Sequence, residues 1–538
     1  MTPANLARFH LEKILKLQVF GHAKGLAGFN LETALVQFGE WVEGGLLDLK
    51  ELFEVTPVKA NRWRLVHQHN EFETLALPSS LKLFYQMELA KLDPELSLRL
   101  IQNRTAVRWL PPKDPLVSKL QNGQVQAIID WYPPVLGSTE STLLAKKVGS
   151  AYQLTGRKNR LVGALEGIEL VYLVFALSPT EEGDKIALFR VGGRGVQMCG
   201  TTWSIQADFD QAPAELLAWA PGADAQADLW RGARLELLAL QTALVNEAAR
   251  LAGEASQEQE IPDLDDSEKT CPLFFNPRAA EELVGLKALS AGLLGASLKA
   301  GFYQDCLTFA EQGLGGGFAE LLDLYLAIFL PFVHQALWEA QSGARRLGGD
   351  RAPELTEQAR LAFDLAGLTG SDLDQELRLQ QLVTEEEGRI FLALFEEFGQ
   401  LEAQAAKTDS IKESVMQFKD YAGGLFLLVA DLRESTDPKA MMVSAGKISR
   451  LFAEVILAFG LITQAKEAER ALEKAEVNFY NLGQQVLSLP ELWPWYNLLV
   501  VTEQWSVQRL SGQDAAIRLV QKGPKIALDA LLAKAPEV

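Results

Sequence analysis

The chain of 538 residues is long enough for roughly two to four domains with substantial cores, and 48% hydrophobic against 22% charged residues is a globular balance. A formal net charge of −19 argues against a nucleic-acid partner, because phosphate binding needs a basic surface that releases counterions, and against an anionic membrane surface. Three widely spaced cysteines, Cys199, Cys271 and Cys306, suit a reducing cytoplasm and suggest neither a disulfide framework nor a zinc site.

The N-terminal stretch MTPANLARFHLEKILKL lacks an apolar run followed by a small-residue cleavage site, so no signal peptide is expected. Amphipathic helical patterns follow at Leu31–Leu47 and Ser79–Leu92. Between them, Leu49–Leu77 has room for a short strand pair or a winged-helix-like hairpin, with His67 and His69 at strand-like spacing. No third metal ligand is nearby, so a surface or capping role is the better reading for both histidines. The proline-rich RWLPPKDP marks a boundary, and a sheet region runs from Gln124 to about Ala220.

Within that region Gly149–Val191 reads as three strands joined by short turns: Tyr152–Leu154, Leu170–Ala176 and Ile186–Val191, rich in β-branched and aromatic residues. A turn at VGGRG leads to a strand at TTWSIQADF. Leu229–Leu251 repeats apolar residues at helical spacing, and the acidic Ser256–Thr270 reads as a loop. Asn276 and Pro277 open a helix reaching Ala300 or beyond. The most apolar stretch, Leu321–Trp338, carries Asp323, Pro331 and His334, which suits a buried helix kinked at Pro331 rather than a membrane span. Leu314–Gly317 lacks the glycine spacing of a phosphate loop. Thereafter the pattern predicts helices at Pro353–Ala366, Leu373–Gly399, Gln400–Ala406, Ile411–Arg433, Lys439–Ala465, Lys466–Leu487, Leu492–Leu510 and Ala515–Ala533, one of them started by Ser435–Pro438. The aromatic LPELWPWYNLLVVTEQW is read as core and helix interface rather than as a ligand surface.

Helices, a small sheet, a four-helix bundle and further helices form the layout of the acyl-CoA dehydrogenases, and individual residues carry the resemblance. GSAYQLTGRKNRLVGALEGIELVYLVFAL is similar to that family's middle-domain pattern, with Gly149, Tyr152, Leu154, Gly156 and Lys158 matching directly. WYPPVLGSTESTLLAKKV sits where the family has a flavin-contacting loop. FFNPRAAEELVGLKALSAG resembles a bundle helix of the long members, of the methylthiopropanoyl-CoA dehydrogenase type, and TDPKAMMVSAGKISRLFAEVILAFGLITQA resembles their extra C-terminal domain. The resemblance implies a mainly α fold with a small central β domain, divided into a helical N-terminal domain (1–115), a β middle domain (116–222), a helical bundle (223–352) and a C-terminal helical domain (353–538).

The chemistry implied by the resemblance is eroded. Such enzymes remove an α-proton with a carboxylate while hydride passes to FAD. The family's glutamate motif is missing after ARRLGGDRAPELTEQAR, where Arg345 replaces a glutamine and Glu354 and Glu357 are the nearest carboxylates. The aromatic and hydroxyl that would meet the flavin ring are replaced by Asn159–Val162. Remnant FAD positions are Ser138, Thr139, Lys158, Gly348 and Gly349; no catalytic residue is assigned, and FAD is expected to be lost or weakly bound. The first expectation is therefore a non-catalytic homologue, a structural or regulatory subunit beside an active acyl-CoA dehydrogenase or in a homo-oligomer, with acyl-CoA a conceivable ligand. The alternative is an active FAD-dependent acyl-CoA dehydrogenase with a relocated base drawn from Glu166, Glu311, Glu320 or Glu339.

Overall fold

The computed structural model describes residues 3–16, 30–55, 59–68, 77–131, 143–161, 167–180, 183–200, 205–219, 223–263, 268–309, 317–347, 389–405, 408–434, 438–477 and 482–511, with isolated positions between 365 and 383 and at 517. Its N-terminal helices are α1 (Pro3–Arg8), α2 (Leu31–Glu40), α3 (Leu46–Val55), α4 (Lys59–Gln68), α5 (Ser79–Leu92), α6 (Pro94–Trp109) and α7 (Pro115–Gln121). The last two start alike: an aspartate N-cap followed by proline. Asp93 accepts from the Leu96 amide at 3.1 Å and Asp114 from the Leu116 amide at 2.9 Å.

The strand pair or hairpin expected within Leu49–Leu77 is corrected to the helices α3 and α4. Trp63 and Val66, three apart, are both buried, which is helical rather than strand periodicity. The Trp63 indole also donates to the Gly123 carbonyl at 2.8 Å, fixing α4 against the turn that enters the sheet. His67 is helical, with Nδ1 3.0 Å from the Gln121 carbonyl oxygen; His69 lies outside the described residues.

The sheet has seven strands: β1 (Val125–Ile129), β2 (Leu143–Val148), β3 (Ala151–Leu161), β4 (Glu169–Thr180), β5 (Gly183–Gly192), β6 (Val196–Gly200) and β7 (Ile205–Trp219). Their order is β1-β4-β2-β3-β7-β5 with β6 on β7, and the β4–β5 pairing closes the sheet on itself. The expected strands at Tyr152, Leu170 and Ile186 all form, but β3 and β4 are not neighbours. β3 pairs antiparallel with β2 and β7, whereas β4 pairs antiparallel with β5 and parallel with β1 and β2. Closure inserts β2 between them, a long-range pairing that turn signals do not encode. Alternate residues fill the interior, among them Tyr172, Val174 and Ala176, while Val171, Leu173 and Phe175 face the helical core.

After the barrel come α8 (Ala223–Glu258), the short pair β8 (Glu260–Pro262) and β9 (Thr270–Pro272), α9 (Pro277–Phe309) and α10 (Phe318–Leu347). The acidic Ser256–Thr270 read as a loop thus begins in the last turn of α8, holds β8 and ends where the antiparallel β9 begins. Asn276 caps α9, accepting from Arg278 and Ala279 amides at 3.0 and 3.3 Å. Helix α10 continues through Pro331, and its polar residues are matched by α8: Arg231 forks onto Asp323 at 2.9 and 3.1 Å, and Gln241 lies 3.0 Å from His334.

The C-terminal helices are α11 (Arg389–Ala405), α12 (Lys412–Glu434), α13 (Pro438–Lys474), α14 (Leu482–Ser488) and α15 (Trp493–Trp505), the last running into a π-helical turn, Ser506–Leu510. Two expected breaks do not occur. Helix α11 passes through Gly399, and α13 runs unbroken across Ala465–Lys466, ending only where Glu476 turns left-handed at φ 55°. Nothing between Gln464 and Arg470 breaks a helix, and burial of Leu461, Ile462, Ala465 and Ala468 holds it in the core. The helices expected at Pro353–Ala366 and Ala515–Ala533 lie almost wholly outside the described residues. Pro277–Phe309, Phe318–Leu347 and Gly446–Lys474 are long and apolar enough to cross a membrane, yet 61, 83 and 78% of their apolar windows are buried inside the fold.

One carboxylate ties the N-terminal helices to the bundle. Asp305 on α9, with no exposed surface, accepts from the amides of Ser79 and Ser80 and from the Ser80 hydroxyl at 2.7 Å, capping α5 from another element. The helices meet closely there: a Cβ on Gly301 would lie 2.7 Å from Leu83 and 3.0 Å from the Ser80 Cα. Burial, against the hydrogen bonds from Ser80 and Ser79, pushes the Asp305 carboxyl up to about 6. Between roughly pH 4 and 6 the folded state therefore keeps a proton that the unfolded chain has released, and stability falls as pH rises through that window. His10, buried with its ring beside Phe9, has the opposite sign: burial lowers it from 6.5 to about 4, so stability is lost as pH falls between those values. Urea unfolding from pH 4 to 7 is expected to give Asp305→Asn without the first slope and His10→Phe without the second; unchanged slopes in both would contradict this.

Candidate functional site

The resemblance directs attention to the ends of β1 and β3. At the end of β1, Asp130 has 2% of its surface exposed; its amide donates to the Leu173 carbonyl at 2.9 Å and its Oδ2 accepts from the Phe175 amide at 3.2 Å. Lys158, on β3 and equally buried, places Nζ 2.6 Å from the same Oδ2. The lysine singled out in the sequence as a flavin-associated position is thus held by a buried ion pair joining β1, β3 and β4. Of the other sequence-derived positions, Ser138, Thr139, Gly348 and Gly349 lie outside the described residues, as do Glu166, Glu311, Glu354 and Glu357.

Next to Asp130, Trp131 is buried against Trp230 of α8, ring centroids 5.9 Å apart. Trp230 meets Trp109 of α6 edge-on at 4.7 Å, and Phe175 of β4 lies 5.8 Å from Trp109 and 6.1 Å from Trp230. These four rings seal the barrel against α6 and α8 where the β1 loop begins. Sequence reading passed over Trp131 and Trp230, which are 99 positions apart and meet only through the fold.

Two of the candidate bases are described. Glu339 on α10 bonds Arg450 of α13 at 3.3 Å and Arg509 of the terminal turn at 2.6 Å, forming part of a charged latch between bundle and C-terminal helices. Glu320 sits in the first turn of α10, with Oε2 buried and without a hydrogen-bond partner among the described residues. Among the described residues no cluster of His, Cys, Asp or Glu is arranged for a metal ion.

A cavity of about 920 Å³ opens between α5, α6, α7, α8 and α9. Its walls include the buried Leu83, Tyr85, Leu100 and Leu235, and at one side Arg104 and Arg108 close on Glu236 of α8. Arg104 reaches Glu236 at 3.1 Å, and its Nη1 also donates to Gln86 Oε1. Arg108 lies over Gly232, where a Cβ would stand 2.8 Å from its Nη1. Burial pushes the Glu236 carboxyl up, but Arg108 and Arg104 outweigh it and hold the group below the ordinary range. The arginines, one turn apart on α6, are visible as a pair in the sequence; their partner 128 residues from Arg108 is not.

The architecture, a helical N-terminal layer, a small barrel, a bundle and appended helices, is the acyl-CoA dehydrogenase fold. No protein-family model and no curated protein matches the chain. Among solved structures, it is similar to ACDH-11 of Caenorhabditis elegans in complex with C11-CoA, with TM-score 0.68 and 13% identity over 94% of this chain and 90% of that one. An acyl-CoA dehydrogenase of Bacillus anthracis complexed with FAD gives TM-score 0.64 and 11% identity over 91% and 92%. The apo form of Bd2924 gives TM-score 0.58 and 14% identity over 87% and 96%. Identities this low carry the fold, and nothing finer.

Removing one partner of the Lys158–Asp130 pair leaves a buried charge uncompensated. Lys158→Met is expected to cost about 3–5 kcal/mol in urea unfolding, and Lys158→Met with Asp130→Leu to recover much of it. A single variant as stable as the parent would show that the pair does not hold the barrel end.

Proposed function

We propose that this chain is a catalytically impaired acyl-CoA dehydrogenase homologue, acting in the cytoplasm as a structural or regulatory subunit beside an active acyl-CoA dehydrogenase of acyl-CoA metabolism. The observation that carries this reading is the barrel end. Lys158 is engaged by Asp130, and Trp131, first residue of the segment resembling the flavin loop, is packed into Trp230. Asn159–Val162 bring neither the aromatic nor the hydroxyl that the resemblance calls for. FAD is accordingly absent or weakly held in this reading, although the Bacillus anthracis neighbour was solved with FAD. Exposed aromatics on the bundle, Phe275 at 61% and Trp338 at 51%, support an interface with another subunit.

A second reading, an active FAD-dependent acyl-CoA dehydrogenase with a relocated base, is favoured by one feature: Glu320 has a buried carboxylate oxygen with no hydrogen-bond partner among the described residues. The two readings separate on purification. The chain purified alone is expected to lack the visible flavin absorbance band and to give no dye-coupled oxidation across a series of acyl-CoA chain lengths, while an active acyl-CoA dehydrogenase co-purifies from the native cell. Stoichiometric flavin with turnover, abolished by Glu320→Gln, would replace the first reading by the second.

A further inference from the structure

A groove of about 830 Å³ runs along the bundle between the start of α9, the second half of α10 and the π-helical turn Ser506–Leu510. Most of α10 is buried, yet Trp338, which lines this groove, is 51% exposed. Two more apolar side chains stand open on the flanking elements. Phe275, three residues before the groove-lining Arg278, is 61% exposed, and Val507, next to Gln508, is 49% exposed. Aromatic residues and arginine together are the composition of an interface centre rather than of ordinary surface.

Charge decides what this face can meet. Among the described residues the groove is lined by three cations, Arg278, Arg346 and Arg509, and three carboxylates, Glu281, Glu282 and Glu339. Two copies of a chain of net charge −19 repel one another on average, and a balanced face removes that cost where they touch. Four of the six charges are paired within the face: Arg346 Nε donates to Glu282 at 2.7 Å and Arg509 Nη2 to Glu339 at 2.6 Å. The remaining two lie three residues apart at the start of α9 and are both exposed. Glu281 accepts from Gln508 Nε2 at 2.9 Å, and neither it nor Arg278 has an ion pair among the described residues. One unmatched cation and one unmatched carboxylate on the same helix end are what a two-fold contact satisfies, because each residue of one copy then meets the other residue of its mate.

We propose that this face is an isologous contact between two copies of this chain, in which Arg278 of each copy pairs with Glu281 of its mate and the exposed Trp338 of each is covered by the other. The proposal takes from the proposed function only the reading of this bundle face as an interface, and it is independent of flavin.

The test is sedimentation velocity of the full chain over a range of micromolar concentrations, with thermal unfolding of each variant as the control for folding. The parent is expected to show a concentration-dependent monomer–dimer equilibrium. Trp338→Ala is expected to raise its dissociation constant by about tenfold or more. Arg278→Glu and Glu281→Arg should each weaken self-association in the same way, since each puts like charges opposite one another. An equimolar mixture of those two charge variants places opposite charges across both contacts and should dimerise within about threefold of the parent. A parent that stays monomeric, variants that dimerise like the parent, or a mixture no tighter than its components would overturn the proposal. So would a monomer that captures an active acyl-CoA dehydrogenase through Trp338, which would give the face to that enzyme. A flavin-free monomer overturns this contact and leaves the proposed function standing, whereas a dimer with stoichiometric flavin and turnover upholds the contact and removes that function.

Discussion

Strand β4 has no solvent face through its middle, and much of the structure follows from that. Six consecutive residues, Val171–Ala176, are buried, because one side closes the barrel and the other meets helices. A parallel neighbour is compatible with such a strand, and β1 supplies it, pairing from Val125–Glu169 to Ile129–Leu173. The outward side needs a cover, and Trp109 and Trp230 provide it from helices on either side of the sheet in sequence. Barrel, N-terminal helices and bundle are thereby joined through ring contacts each worth about 0.5–1.5 kcal/mol beyond area burial. The helices cannot withdraw from the sheet without exposing Phe175.

Polar groups buried by this arrangement are matched across distant elements rather than along the chain. Asp130 takes Lys158, Asp323 takes Arg231, Glu236 takes two arginines and Asp305 takes the start of α5. Each is expensive to break and gives modest net stability when intact, so such matches act chiefly to fix which element docks where. In a chain with 70 acidic and 51 basic residues, cations placed this deliberately stand out. The three at the helix-lined cavity, Lys82, Arg104 and Arg108, differ in kind from the pair at the barrel end, since each keeps part of its side chain open to solvent.

Local signals carried the elements well and their neighbours poorly. The Asn276–Pro277 start, the buried character of Leu321–Trp338 and the strands around Tyr152, Leu170 and Ile186 were legible because capping chemistry and periodicity act within a few residues. Closure of the sheet was not, since the insertion of β2 between β3 and β4 is decided by contacts far apart in sequence. Helix continuity across Ala465–Lys466 is likewise set by burial of one face in the core, and the helix ends only shortly before Glu476 leaves helical geometry. Of the candidate site, Lys158 was legible as a special position, while Asp130, Trp131 and Trp230 emerge only once β1 and α8 are brought together.

The matched motif residues have identifiable structural duties, which separates fold from chemistry. Gly149 forms the β2–β3 turn, Tyr152 packs on Phe189 at 5.2 Å and Leu154 fills the barrel interior. Gly156 sits at the register shift against β7, and Lys158 neutralises Asp130. Each of the five would be retained by a sequence required only to fold, because losing any one disturbs a turn, a core position or a buried charge. Their presence is thus evidence for the barrel and carries no separate weight for flavin chemistry.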